Sequence, residues 1–404
     1  TADTGPLIQR EIKDDAAEIA RVIREHYTKY EHRIRMRDGA RLFTAVYVPK
    51  DTSRTYPMLL TRTPYSVQLR DRQLPERPEP AGARALCAVH ALHPRGVHLR
   101  APGRARPPHV RRDVRGRAPP GEGQGGIDES TDTYDTIDWL VRNVPQNNGR
   151  VGAWGISYPG FYAAQAAVNA HPALKAVSPQ APVSDWFVGD DFHHNGAFFL
   201  ADAFDFYANF GKPRPKPTSK ITWSFEHDAA DVYDFFLALG PLTNANAKYL
   251  HGEIAFWDDM MQHGHRDDFW KTRDARPRYR NIKPAVMTVG GWFDAEDLFG
   301  ALETYRTIER QSQGTENTLV MGPWAHGGWA GSDGGRLGDI TFGQKTSLFY
   351  RENIELPFFQ RHLKGKAEKA PTEAWIFETG TNLWQRYATW PPKAARPETL
   401  YLHA

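Results

Sequence analysis

The stretch Val151–Gly160, with the sequence VGAWGISYPG, decides the fold. An apolar run leads into Ser157, which has glycines on both sides, and small residues follow from Phe161 to Ala170. This pattern is typical of a strand, a tight turn and a helix, in which the turn presents a serine hydroxyl as a nucleophile. Gly160 comes one position later than in the common G-x-S-x-G pattern, so catalysis needs support from elsewhere in the chain.

Two later segments supply the residues that a serine nucleophile needs. Pro284–Asp294 is an apolar run that ends in glycines and an aspartate, and Asn317–His326 is another that ends in a histidine. Ligands of doubly wound sheets bind at the carboxyl ends of the strands, which is where both residues fall. The chain order Ser157, Asp294, His326 is that of α/β-hydrolases and predicts a catalytic triad.

The predicted chemistry is acyl transfer. His326 would take the Ser157 proton and later protonate the leaving group, while Asp294 would hold the imidazole tautomer. The amide of Tyr158 is one candidate donor to the oxyanion. The Tyr65 hydroxyl, after the strand-like run that begins at Tyr56, is a second candidate. Purely structural roles stay open for these residues. Asp294 could cap a helix, His326 could only form hydrogen bonds, and Tyr65 could pack under a loop.

Several motifs resemble the cocaine-esterase and X-Pro dipeptidyl-peptidase superfamily of serine hydrolases. Within it, the chain is most similar to the α-amino acid ester hydrolases, which are β-lactam antibiotic acylases. The resemblance implies an α/β-hydrolase fold with a helical cap, the triad and oxyanion donors named above, and no cofactor. The matching stretches are Arg62–Tyr65, Asp128–Trp139, Trp154–Gly160, Gly290–Asp297, Gly322–His326 and Phe377–Trp384.

The resemblance also implies a carboxylate cluster that binds the α-ammonium group of an α-amino acyl ester or β-lactam substrate. Glu296 and Asp297 match through the run that begins at Asp294, and Asp191 matches through Gly189–His194. Carboxylates this close repel one another unless a cation or a proton compensates them. The alternative is that Glu296 and Asp297 lie in a first helical turn, where the helix dipole favours acidic residues.

The sequence gives little support for a metal, membrane or nucleic-acid partner. His193–His194 and His263–His265 lack a second pair with ligand spacing, so no metal is expected. No apolar run approaches the roughly 20 residues of a membrane span. Neither a nucleic-acid nor a membrane partner is predicted. The resemblance implies a homo-oligomer, a tetramer, and a periplasmic or secreted location.

We divide the 404 residues into four parts. Residues 1–185 and 281–366 form the two parts of the hydrolase, and residues 186–280 form an aromatic-rich helical cap. Residues 367–404 are expected to begin a jelly-roll domain, incomplete at this length because a jelly-roll needs about eight strands. Helices are predicted at Asp14–Tyr30, Asp202–Tyr207 and Asp231–Phe236.

Residues 66–133 do not fit the rest of the chain, because they contain no Phe, Tyr or Trp. Residues 70–119 carry 12 Arg, no Lys and four acidic residues, a balance of +8 in a chain whose net charge is +3. Three interpretations stay open: a nucleic-acid-binding tract, a flexible basic insert, or an out-of-frame translation of a GC-rich gene. We favour the third, because Asp113–Arg117 (DVRGR) matches the family as an island in unfamiliar sequence. A miscoded strand before it would pack badly in the sheet.

Overall fold

A computed structural model describes residues 21, 23–65, 128–189, 191–210, 229, 231–365 and 372–402, and the backbone of 87–92. Within these residues, ten strands form one sheet in the order β1-β2-β4-β3-β5-β6-β9-β10-β13-β14. Two short hairpins, β7–β8 and β11–β12, lie outside it. The strands are β1 Tyr27–Arg35, β2 Arg41–Pro49, β3 Tyr56–Thr63, β4 Cys87–Leu92, β5 Asn147–Ile156, β6 Leu174–Gln180, β7 His193–His194, β8 Ala197–Phe198, β9 Ala285–Gly291, β10 Asn317–Gly322, β11 Arg336–Leu337, β12 Ile340–Thr341, β13 Ala374–Glu378 and β14 Leu383–Tyr387.

The centre of the sheet is parallel from β4 to β13, and antiparallel strands complete both edges. Every residue of β9 and β10 is buried. Parallel strands covered on both faces read as continuous apolar runs, which is the pattern that the sequence shows there.

Helices cover both faces of the sheet. On one face, α1, α2 and α8 pack on β5, β6 and β9 through residues such as Ile137, Ala164 and Ile308. On the other face, α9, α10 and α11 pack through Trp329, Tyr350 and Phe359. This is the predicted α/β-hydrolase fold. The helices are α1 Glu129–Asn143, α2 Tyr158–Ala166, α3 Leu200–Asn209, α4 Val232–Leu239, α5 Thr243–Ala245, α6 Ala255–Gln262, α7 Asp268–Lys271, α8 Leu298–Gln311, α9 Gly328–Gly331, α10 Thr346–Tyr350 and α11 Leu356–Lys364.

The cap has its own aromatic core. Helices α3 to α7 bury Phe204, Tyr207, Phe256, Trp257 and Trp270 against one another, each less than 3% exposed. The predicted helix at 202–207 lies within α3, and the one at 231–236 overlaps α4, of which Asp231 is the N-cap. Tyr158 packs into the same aromatic core. The cap therefore covers the edge of the sheet where β5 ends and Ser157 follows.

Two expectations need correction. The helix expected to reach Tyr30 gives way to β1 at Tyr27, because nine residues there pair with β2 in an antiparallel hairpin; residues 14–20 lie outside the described residues. The run around Trp375, expected to begin a jelly-roll, instead extends the main sheet. β13 pairs with β10, with Leu319 opposite Ala374, and β14 pairs with β13.

The basic segment contributes one described strand. β4 lies between β2 and β3, antiparallel to the first and parallel to the second, so its backbone is paired on both sides. The rest of residues 66–127, with Asp113–Arg117, lies outside the described residues. The out-of-frame and insert interpretations therefore stay hypotheses.

Among the described residues, no helix combines the length and apolarity needed to cross a membrane.

A buried ion pair secures the start of the cap. Asp185 is fully buried, and its carboxylate accepts hydrogen bonds from Arg266 at 2.9 Å and from Arg276 at 2.5 Å. We expect Asp185→Ala to lower the free energy of unfolding by about 1.5–3 kcal/mol, because it removes charge-assisted hydrogen bonds to two arginines that keep Asp274 as a close partner. Urea denaturation measures this change.

The matched control is Asp268→Ala. Asp268 forms an ion pair with Lys271 at 3.2 Å, but its side chain is 94% exposed. Pairs in open solvent contribute little to stability, so this variant should unfold close to the wild-type midpoint. Equal losses in the two variants would contradict the role given to Asp185.

Candidate active site

Ser157 lies at the turn between β5 and α2, with φ 67° and ψ −128°. A positive φ is strained for any residue with a side chain, and such strain persists only where the surroundings enforce it. The Ser157 amide donates to the Gln180 carbonyl at 2.9 Å, and the Ser157 carbonyl accepts from the Phe161 amide at 2.9 Å. The turn therefore has the geometry of a nucleophile elbow.

The two flanking glycines allow this geometry. A Cβ atom built on Gly160 would lie 2.3 Å from the Gln180 carbonyl oxygen, and one on Gly155 would lie 2.4 Å from the Pro159 oxygen. Contacts this short exclude any side chain at either position. The late glycine at 160 is therefore the residue that lets helix α2 approach β6.

Asp294 and His326 are in hydrogen-bond contact at the ends of β9 and β10. Nδ1 of His326 lies 3.1 and 3.0 Å from the two oxygens of Asp294. Backbone hydrogen bonds join the two loops: the Trp292 amide donates to the Gly322 carbonyl, and the Phe293 amide to the Trp324 carbonyl. The triad order predicted this pairing.

Asp294 also has the capping role that was the competing interpretation. Its Oδ1 accepts hydrogen bonds from the amides of Glu296 at 2.9 Å and Asp297 at 3.0 Å. The two roles are compatible, because a carboxylate has several acceptor sites. The capping bonds fix the carboxylate that faces the histidine.

The charges of this pair stabilise each other. Burial alone would raise the pKa of Asp294, but the hydrogen bond and positive charge of His326 outweigh it and hold that pKa below its usual value. Burial alone would lower the pKa of His326, but the hydrogen bond to Asp294 and nearby carboxylates raise it to about 9. These shifts favour a cationic imidazole at neutral pH.

The other nitrogen of His326 faces a second carboxylate. Nε2 lies 3.4 Å from Oε2 of Glu296, and Nδ1 lies 3.9 Å from Oδ2 of Asp297. Within the described part of the chain, the Ser157 hydroxyl forms no hydrogen bond. Glu296 is thus the partner of the nitrogen that a serine nucleophile would use.

One cavity of about 260 Å³ contains most of the predicted site. It brings together the predicted residues Tyr65, Ser157, Tyr158, Asp191 and Glu296. Asp294, Asp297 and His326 do not line it, and Asp297 is fully buried. The remaining lining residues all come from the cap: Phe192, Asp202, Asp205 and Phe206.

Asp202 and Asp205 are acidic residues that the sequence reasoning missed. Both lie on α3, three residues apart, and side chains at that spacing share one face of a helix. Burial and then the charge of Glu296 raise the pKa of Asp202 to about 6. Their position on one helix face was predictable from the sequence, because the helix predicted at 202–207 contains both aspartates three residues apart.

The two candidate oxyanion donors lie beside Ser157. The pKa of the Tyr65 phenol is raised far above its usual value by burial and then by Asp191, so it stays protonated and can donate. The Tyr158 amide is the first of helix α2, where amides have no partner inside the helix. Both tyrosines line the cavity that contains Ser157.

A metal ion has one conceivable place among the described residues. Ligand atoms of Glu296, Asp297 and His326 lie within 4.8 Å of one another. These atoms already neutralise each other as ion pairs with the imidazolium. We assign them no metal.

The close approach at Gly160 gives a test of the elbow. We expect Gly160→Ala to destabilise the protein by about 1–3 kcal/mol, because the added methyl forces α2 away from the Gln180 carbonyl. Thermal unfolding measures the loss. Gly264→Ala is the control, because a Cβ there meets nothing within 4 Å. An unchanged midpoint for Gly160→Ala would contradict the close contact.

Comparisons with known proteins agree with the fold. The family model for X-Pro dipeptidyl-peptidases (S15 family) matches residues 38–328, which is more than half of the chain. The chain is 26% identical to cocaine esterase from Rhodococcus sp. (strain MB1 Bresler) over 382 residues, covering 91% of this chain and 60% of that protein.

Two solved structures are similar over 97% of the chain. One is an aminopeptidase from the marine sediment archaeon Thaumarchaeota archaeon, with a TM-score of 0.74 and 31% identity. The other is an α-amino acid ester hydrolase, with a TM-score of 0.71 and 28% identity. The chain spans 62% of each of those two chains. By the family match, this chain belongs to the X-Pro dipeptidyl-peptidase (S15) family of serine hydrolases.

Proposed function

We propose that the protein hydrolyses α-amino acid esters and amides through an acyl-enzyme on Ser157. The observation that carries this proposal is the cavity in which Ser157 shares one space with Asp191 and Glu296. A substrate with a free α-ammonium group brings positive charge to these carboxylates. Charge-assisted hydrogen bonds then orient its carbonyl group over the nucleophile.

The triad performs the proton transfers in this proposal. Neutral His326 takes the proton of Ser157 through Nε2 as Oγ bonds to the carbonyl carbon, and then protonates the leaving alcohol or amine. Asp294 holds the Nδ1–H tautomer and stabilises the imidazolium that forms. Water repeats the sequence on the acyl-enzyme and releases the amino acid.

The oxyanion receives two donors of different kinds in this proposal. The Tyr158 amide is fixed by the helix that begins there, and the Tyr65 hydroxyl reaches in from the loop after β3. Preorganised donors of this kind typically contribute about 2.7–4 kcal/mol each to transition-state stabilisation.

The size of the cavity favours a small acyl group. Its volume of about 260 Å³ lies below the roughly 300–1,000 Å³ of typical ligand pockets. Phe192 and Phe206 give it an aromatic wall beside the carboxylates. A single aromatic amino acid such as phenylglycine fits this chemistry. Transfer of that acyl group to an amine in place of water, as in β-lactam antibiotic synthesis, is part of the proposal.

A second candidate is a peptidase that recognises a free N-terminus. The family match to X-Pro dipeptidyl-peptidases favours it, and an acidic cavity also suits an N-terminal ammonium. Comparing kcat/KM for phenylglycine methyl ester with that for an X-Pro anilide separates the two. We expect the ester to be the better substrate, and a preference for the anilide would favour the peptidase.

The covalent step is tested by burst kinetics. With a chromogenic α-amino acid ester, we expect wild-type protein to release about one equivalent of leaving group rapidly, because acylation precedes deacylation. Ser157→Ala should lose the burst and nearly all turnover, while Ser332→Ala on the exposed loop after α9 should keep both. A burst in Ser157→Ala would contradict the covalent role.

The carboxylates are tested by a pair of substrates. We expect Asp191→Asn to lower kcat/KM for phenylglycine methyl ester about 10- to 100-fold, because it removes a charged hydrogen bond worth roughly 1.5–3 kcal/mol. Phenylacetic methyl ester, which lacks the amine, should lose little activity. Equal losses on the two esters would remove the ammonium-binding role.

A further inference from the structure

The contact between Glu296 and His326 conflicts with the base role of the histidine. Nε2 is the atom that must accept the Ser157 proton, yet in this structure it lies 3.4 Å from the Glu296 carboxylate. An imidazolium in this position is hydrogen-bonded to Asp294 through Nδ1 and forms an ion pair with Glu296 through Nε2. Its Nε2 has no lone pair to offer while that arrangement lasts.

The groups that act on the imidazole approach it from two sides. Asp294, Glu296 and Asp297 belong to the loop after β9 and approach from the hydrolase side. Asp191 and Asp202 act on it from the cap. All five are acidic, and each favours the cationic ring.

Glu296 differs from the other carboxylates in its surroundings. Its side chain is 35% exposed and lines the cavity, whereas the side chains of Asp294 and Asp297 are fully buried. Only Glu296 of these three therefore both touches the ring and meets whatever enters the cavity. A ligand can compete for Glu296 without disturbing the Asp294 contact.

We propose that Glu296 makes the catalytic base conditional on the α-ammonium group of the substrate. Without the amine, the charge of Glu296 keeps Nε2 of His326 protonated, and a bound ammonium replaces the imidazolium as the ion-pair partner of the carboxylate. This inference rests on the proposed function and adds a second role to Glu296: besides binding the amine, it selects for it through catalysis.

The protons balance without another reactant. The ammonium brings one positive charge into the cavity, and the imidazolium loses its Nε2 proton to solvent. Nε2 then has a free lone pair and can accept the Ser157 proton as Oγ bonds to the carbonyl carbon. A substrate without the amine brings no charge, so the imidazolium must lose its proton unaided.

The elevated pKa of His326 supports this argument from geometry. Burial opposes it, Asp294 contributes most to raising it, and Glu296 is the next carboxylate to do so. Because the base form exists only above the pKa, an ester without an amine should be turned over well only at alkaline pH. An α-amino ester should be turned over at lower pH.

The pH dependence of kcat tests the proposal, because kcat reports ionisations in the enzyme–substrate complex. In wild-type protein, we expect the acid limb for phenylacetic methyl ester to lie at least about one pH unit above that for phenylglycine methyl ester. Glu296→Gln should move the phenylacetic limb to lower pH and raise kcat at pH 7 about tenfold, while impairing the phenylglycine ester. Glu352→Gln, an exposed change remote from the ring, should alter neither profile.

The contradicting result is a phenylacetic profile that stays unchanged in Glu296→Gln. That result would overturn the inference and leave the proposed function intact, because wild-type turnover of the phenylglycine ester measures the latter separately. Absence of turnover of both esters by wild-type protein would instead reject the proposed function.

A second measurement does not need turnover. In Ser157→Ala protein, the ring nitrogens of His326 can be followed by NMR up to about pH 8, where 1-phenylethylamine is still mostly cationic, with that amine or with the neutral analogue 1-phenylethanol at saturation. We expect only the amine to lower the pKa of His326, by about one unit or more. No difference between the two ligands would overturn the inference.

Discussion

The hydrogen bond from the Ser157 amide to the Gln180 carbonyl is the contact on which the site depends. It holds the strained turn, and the same carbonyl leaves room only for glycine at position 160. The Gln180 side chain extends the connection, since its oxygen accepts from Trp329 and its amide donates to Glu355, both at 2.7 Å. Trp329 lies just after the loop that carries His326. Gln180 therefore helps to position both the nucleophile and the base.

Negative charge is the basis of the specificity that we propose for this site. Asp191, Asp202, Asp205 and Glu296 surround a small cavity with an aromatic wall, and like charges in such a place are costly without a cation. The imidazolium of His326 supplies one such charge in this structure, and in the proposed reaction a substrate ammonium supplies another. In that reaction, electrostatics links recognition of the amine to the protonation of the base.

Much of this was predictable from local patterns, and the rest depended on distant contacts. The order of Ser157, Asp294 and His326 at strand ends identified the elements that meet at the sheet edge, because parallel strands share that edge. The contact of Glu296 with Nε2 depends on how two loops close, which no local pattern encodes. The strand at Ala374–Glu378 reads equally well as jelly-roll or sheet edge, since only its partner, β10, distinguishes them.

The central claim is that Ser157 is an activated nucleophile in this acidic cavity. Treatment with a fluorophosphonate, followed by digestion and mass spectrometry, tests it most directly. We predict a single adduct on Ser157 that forms more slowly when phenylglycine methyl ester is present and does not form on denatured protein. Recovery of an unmodified Ser157 peptide from folded protein, or an adduct on another serine, would contradict the account.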